Sequence, residues 1–174
     1  MKNLPFKKLD LTKLDNLSTP AELERVKLHY NKLLYHSQTG QVVMVLDTDD
    51  KTVAYPLSEF EGAMASFVFL GCSMNSHIRT IHQMYLDLLE ETGSHLEAAI
   101  IEAKHGDMFY ATLEFRDKKD RKFRTLTSFS DAVLLAALAS VDLFILRKVI
   151  DATDDFKDWT YLHEIIDNYD EEDD

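Results

Sequence analysis

The chain carries a single cysteine, Cys72, so no disulfide can close within it, which fits a reducing compartment. Three prolines and five unclustered glycines in 174 residues leave little room for long linkers and exclude a glycine-rich phosphate loop. No apolar run approaches the ~20 residues of a membrane-spanning helix, so no membrane association is expected. The first fifteen residues mix Lys, Asp and Leu without an apolar stretch, unlike a secretory signal. A cytoplasmic protein is the resulting expectation. The histidines are dispersed: His77 and His82 are five apart, with no Cys or second His at zinc-finger spacing. A Gly-x-Ser-x-Gly nucleophile elbow is also missing.

What is present is apolar and acidic. Hydrophobic residues make up 45% and charged residues 29%, the balance of one globular domain. The net charge of -12 is unevenly spread. Residues 151–174 hold eleven acidic side chains and one basic one, leaving 20 acidic and 18 basic in the rest. The body is therefore nearly neutral and the acidity sits in a C-terminal tail. Total charge then says little against a polyanionic partner.

Local patterns predict the elements. Thr19-Pro20-Ala21-Glu22 is a capping box with proline at the first helical position, and Leu23, Val26, Leu28, Tyr30, Leu33 and Leu34 continue it as a helix over 19–36. The short apolar run 42–46 and residues 52–57 predict a strand hairpin. Helices follow over 58–70, with Phe60, Met64, Phe67 and Val68 on one side, and over 78–92, with Ile81, Met84, Tyr85, Leu88 and Leu89 inward and Gly93 closing it. Three strands are expected at 96–103, 108–116 and 121–126. Ser130-Asp131-Ala132 opens a helix so apolar that it must be buried, and 143–150 reads as a last strand. Phe156, Trp159, Leu162, Ile165, Ile166 and Tyr169 predict a final amphipathic helix. The fold class is α+β, a mixed, largely antiparallel sheet with helices packed on it, plus extra N- and C-terminal helices. The junctions Leu57-Ser58-Glu59-Phe60 and Leu126-Thr127-Ser128-Phe129 are alike, as a diverged internal duplication would make them. The expected division is 1–41 arm and capped helix, 42–150 core, and 151–174 acidic helix and tail.

Tyr55-Pro56-Leu57 before Glu61, then Gly71, His82, Leu88-Leu89 and Gly93, Asp107-Met108-Phe109-Tyr110-Ala111, and Ser130-Asp131-Ala132 occur in the order of a known pattern. In that order the stretch 42–150 resembles the bifunctional nuclease domain family. Three positions depart from the family pattern: Thr-His-Asp is Ile81-His82-Gln83, Arg-Pro before Ser-Asp is Ser128-Phe129, and an Asp closing the preceding strand is Leu126. The resemblance implies cleavage of DNA or RNA assisted by a divalent metal, Mg²⁺ or Mn²⁺. It implies Glu61 and Asp131 as metal or orienting groups and His82 as acid/base, since phosphodiester hydrolysis uses carboxylates to hold a metal that activates water. Each residue also has a plainer structural role. Asp131 and Glu61 stand where caps and dipole-compensating carboxylates are common, and His82 where a packed histidine is.

The segment 116–124 holds Arg116, Lys118, Lys119, Arg121, Lys122 and Arg124 against Asp117 and Asp120, with Phe123 interleaved. It is the candidate nucleic-acid contact; a solvated turn protecting a sheet edge is the alternative. The rival to a nuclease is a non-catalytic oligomerising or protein-binding module of the same fold. The apolar helix 132–139 and the Trp159 helix lead us to expect a homo-oligomer.

Overall fold

Charged and apolar side chains alternate from Arg25 onward, and that alternation makes a strand where a helix was expected. The computed structural model describes residues 23–70, 79–106, 108–153 and 162–164. In β1 (Arg25–His36) Val26 and Leu28 are buried while Arg25, Lys27 and His29 face solvent, the period of a half-buried strand. A register shift between Tyr30 and Lys32 then inserts a residue, and Leu33 and Leu34 both become buried. The bulge explains the misreading. It turns a period of two into the spacing Val26, Tyr30, Leu33, Leu34, which imitates a helix. The capping box at 19–22 and the arm before it lie outside the described residues.

The hairpin of β2 (Val42–Asp47) and β3 (Thr52–Pro56) forms as expected, and α1 (Glu59–Leu70) follows. Next comes α2 (Ile81–Thr92), capped by Gly93 at φ 74. Strands β4 (Ser94–His105), β5 (Met108–Asp117) and β6 (Lys122–Ser128) form an antiparallel meander. The apolar helix α3 (Phe129–Ala139) leads to β7 (Asp142–Leu146). The strand expected over 143–150 stops early, because Arg147–Asp151 is a short helix, α4, that buries Val149 and Ile150. The C-terminal helix is corrected at the residues described. Leu162–Glu164 is a strand, β8, paired with the end of β1, and the rest of that segment lies outside the described residues. Leu162 packs on Leu34, Val43 and Val45.

The sheet order is β3-β2-β1-β7-β4-β5-β6, with β8 beside β1. Among the described residues only β4 and β7 pair in parallel, so the α+β class with a mixed, mostly antiparallel sheet holds. Helix α3 lies across β4, β5 and β6 and touches both α1 and α2. The core it closes includes Phe115, Phe129, Ile100, Ile101 and Leu134. The apolar surface of α3 is spent on this core, which removes that helix as an argument for an oligomer.

Two helix faces differ from expectation. Phe60 is exposed at the start of α1, whose fully buried residues are Gly62 and Ala65, while Met64 and Val68 pack against the core as expected. A Cβ at Gly62 would stand 2.9 Å from Val42 Cβ, so glycine lets α1 settle on β2 just after Glu61. In α2 the inward residues are His82, Leu86 and Leu89, while Ile81, Met84, Tyr85 and Leu88 face outward, Ile81 at 70% exposure. The helix is turned so that a histidine, not the apolar stripe, meets α3. No helix among the described residues is long and apolar enough to cross a membrane.

Candidate functional site

Three helices begin with the same local device. A hydroxyl residue takes the cap position, and an acceptor three residues later completes the turn. In α1, Ser58 Oγ accepts from the Glu61 N–H at 3.3 Å, and Glu61 Oε2 accepts from the Ser58 N–H at 2.8 Å. In α2, Thr80 and Gln83 form the same reciprocal box. In α3, Ser128 Oγ accepts from the Asp131 N–H at 3.1 Å. The cap is thus Ser128 and not the expected Ser130-Asp131 pair; Ser130 is buried within the first turn of the helix.

Tertiary packing brings these three starts together, and with them Glu61, His82 and Asp131. His82 Nε2 donates to Asp131 Oδ1 at 2.9 Å, joining α2 to α3. Ser128 donates to Asp131 Oδ2 at 2.7 Å. Ser130 donates to Glu61 Oε1, joining α3 to α1. The two serine oxygens are 3.2 Å apart, each committing its proton to a different carboxylate. The result is one continuous polar chain from Ser58 to His82.

Exposure differs along this chain. The Asp131 side chain is 48% exposed and that of His82 only 8%. His82 Nδ1 is buried without a partner among the described residues. The imidazole therefore stands behind Asp131, aiming a single N–H at it. The Gln83 that replaces the family's acid does not leave His82 without a carboxylate, because Asp131 supplies one from another helix.

Burial works to raise both carboxyls, but hydrogen bonds outweigh it and hold both below their ordinary values. For Asp131 they come from His82 and Ser128; for Glu61, from Ser130 and Ser58. Burial, then the Glu61 charge, pushes the nearby Tyr55 phenol up. A carboxyl depressed in the folded state stabilises above its unfolded value, and that contribution is lost as pH falls through the folded value. Urea stability is therefore expected to lose this contribution progressively below about pH 5. The acid limb should be shallower in Asp131→Asn; an unchanged limb would mean that the carboxylate is not held low.

Among the described residues no three His, Cys, Asp or Glu side chains stand together as a metal cage. Glu61 and Asp131 are two oxygen donors whose atoms already accept hydrogen bonds. Carboxylate oxygens are the donor type that hard ions such as Mg²⁺ take. Sequence reasoning gave Ser128 and Ser130 no part in the site and missed the Thr80–Gln83 box. The signal was a hydroxyl residue followed three positions later by Glu, Gln or Asp, at Ser58, Thr80 and Ser128.

The basic segment is the β5–β6 hairpin, at the far end of β6 from Asp131. Arg116 pairs with Glu97 and Asp120, Arg121 with Asp117, Lys122 with Glu97, and Arg124 with Glu114 and Glu102. No ion pair of Lys118 or Lys119 is found among the described residues. The Lys118 stem lies against Gly93. A separate cleft of about 930 Å³ between α2 and the start of β4 is lined by Arg79, Gln83, His95 and Leu96 and contains none of the three candidate residues.

A comparison with curated proteins finds no match. The bifunctional nuclease domain matches residues 61–157, a span that begins at Glu61 and takes in His82, Asp131 and the basic hairpin. Because that match covers more than half of the 174 residues, the chain belongs to the bifunctional nuclease domain family.

Proposed function

We propose that the protein is a nuclease that cleaves phosphodiester bonds of DNA or RNA at the junction of α1, α2 and α3. One observation carries this reading: three helix N-termini converge on two carboxylates, one of them half-exposed. Helix N-termini favour a phosphate through their orphan N–H groups and dipoles. Asp131, with its side chain half-exposed, meets the attacking water, and Glu61 is the second oxygen donor. The two would hold a divalent ion, Mg²⁺ or Mn²⁺, which when bound would acidify water and offset phosphate charge. His82 acts through Asp131. With Nε2–H on Oδ1 and Nδ1 enclosed, it orients the carboxylate, a different role from the direct acid/base one expected from the resemblance. Ser130 holds Glu61 from the α3 side. The alike junctions at Ser58 and Ser128 support, as a further proposal, a diverged internal duplication.

The test is cleavage of labelled single- and double-stranded DNA and RNA by purified protein with Mg²⁺, Mn²⁺, Ca²⁺ or EDTA, beside Glu61→Gln. Metal-dependent cleavage that the substitution impairs is expected. Cleavage that is absent, or equal in both proteins, would sink the reading.

A second reading keeps the fold without catalysis. Ile81, Met84, Tyr85 and Leu88 form an outward apolar stripe on α2, which a second copy of the chain would cover. Mass by light scattering decides it, since a strict monomer at high concentration removes it.

A further inference from the structure

Strand β6 is an outer edge of the sheet, and among the described residues no strand pairs with its free side. Such an edge offers unpaired backbone groups along an exposed line. Its residues 122–126 are all exposed. Phe123 is 43% exposed, yet its ring is held: it stacks on buried Phe115 with centroids 5.0 Å apart and planes 14° apart. Phe115 in turn meets the half-exposed Tyr85 of α2 edge-on at 6.4 Å. A supported aromatic face open to solvent is the platform on which an unpaired base stacks.

The strand period puts Thr125 and Thr127 on the side of Phe123, and Lys122 and Arg124 on the other. Thr127 is close enough to Asp131 to help hold its carboxyl low. At ~3.3 Å per residue, Phe123 stands roughly 13 Å from Thr127, so one short extended segment spans platform and site. Lys122 and Arg124, across the strand from the platform, are ion-paired but more exposed than their partners. Side-chain exposure is 69% for Lys122 against 25% for Glu97, and 55% for Arg124 against 18% for Glu114. The edge of β6 therefore presents an aromatic face on one side and exposed cationic heads on the other.

We propose that β6 is the track for a single-stranded nucleic acid. A base stacks on Phe123 beside Tyr85, backbone phosphates face Lys122 and Arg124, and the strand runs on to Asp131. A duplex cannot use the platform, because its base faces are already stacked within the helix. The site end of this track rests on the nuclease reading above; the platform does not.

The test is fluorescence anisotropy of short labelled oligonucleotides, single-stranded and duplex, with the full chain in EDTA, repeated for Phe123→Ala and Phe123→Leu. Leucine keeps an apolar contact on Phe115 and removes the ring face, and a thermal melt confirms that it folds. Single strands are expected to bind more tightly than duplex. Both variants should weaken single-strand binding roughly five- to hundredfold and leave duplex binding unchanged. Equal affinity for the two forms, no binding of either, or variants that bind like the parent would overturn the proposal. So would light scattering that shows a dimer which Phe123→Leu dissolves, since the edge would then belong to a second copy. Single-strand binding that depends on Phe123 without any cleavage removes the nuclease reading and leaves the track. Cleavage with Phe123-independent binding does the reverse.

Discussion

Asp131→Asn is expected to lower the turnover of nucleic-acid cleavage by about a hundredfold or more while the protein stays folded. The substitution is close to isosteric; its one side-chain oxygen keeps the His82 N–H bond, and the Ser128 hydroxyl turns to accept from the new amide N–H. What it removes is the half-exposed negative charge of the polar chain, the group proposed to take a proton or hold a metal. The structural cost is limited to a lost carboxylate in the first turn of α3, about 0.3–1 kcal/mol. Single-turnover cleavage and a thermal melt separate the two effects. If turnover fell only in step with folded fraction, Asp131 would be a cap and nothing more.

The largest expected effect on stability comes from two residues away. Phe129→Ala should cost about 3–5 kcal/mol in urea unfolding, the range for removing a buried aromatic ring. Phe129 is fully buried, its ring 4.2 Å from that of Tyr55 and 5.4 Å from that of Phe109. It also sits between Ser128 and Ser130 in the chain, so the packing that anchors it fixes where both hydroxyls point. Weakened cleavage should accompany the lost stability, even under conditions where the variant is fully folded. A midpoint shift worth less than about 1 kcal/mol would show that α3 can be repacked without this ring. Unchanged cleavage would show that the serines are placed by their capping bonds alone.

The sequence by itself determined the elements whose signals are short-range. Continuous apolar residues at 42–46, the alternation of Phe109, Ala111, Leu113 and Phe115, the Gly93 stop and the all-round apolar α3 depend on neighbours within a few positions. The structure follows them at β2, β5, α2 and α3. The order of those elements was enough for the family, and the family order marked Glu61, His82 and Asp131. Tertiary structure decided what is long-range. A bulge made β1 a strand that lies within the sheet, because pairing with β2 and β7 outweighs a spacing that imitates a helix. The rotation of α2 was likewise beyond local reading. Its apolar stripe is larger, but the inward face carries Leu86, Leu89 and the His82 that bonds Asp131 across helices. The same packing gave His82 a carboxylate from another helix, where the next residue in sequence offers only Gln83. A histidine's partner is set by which helix starts meet, and that is fixed by the sheet that carries them.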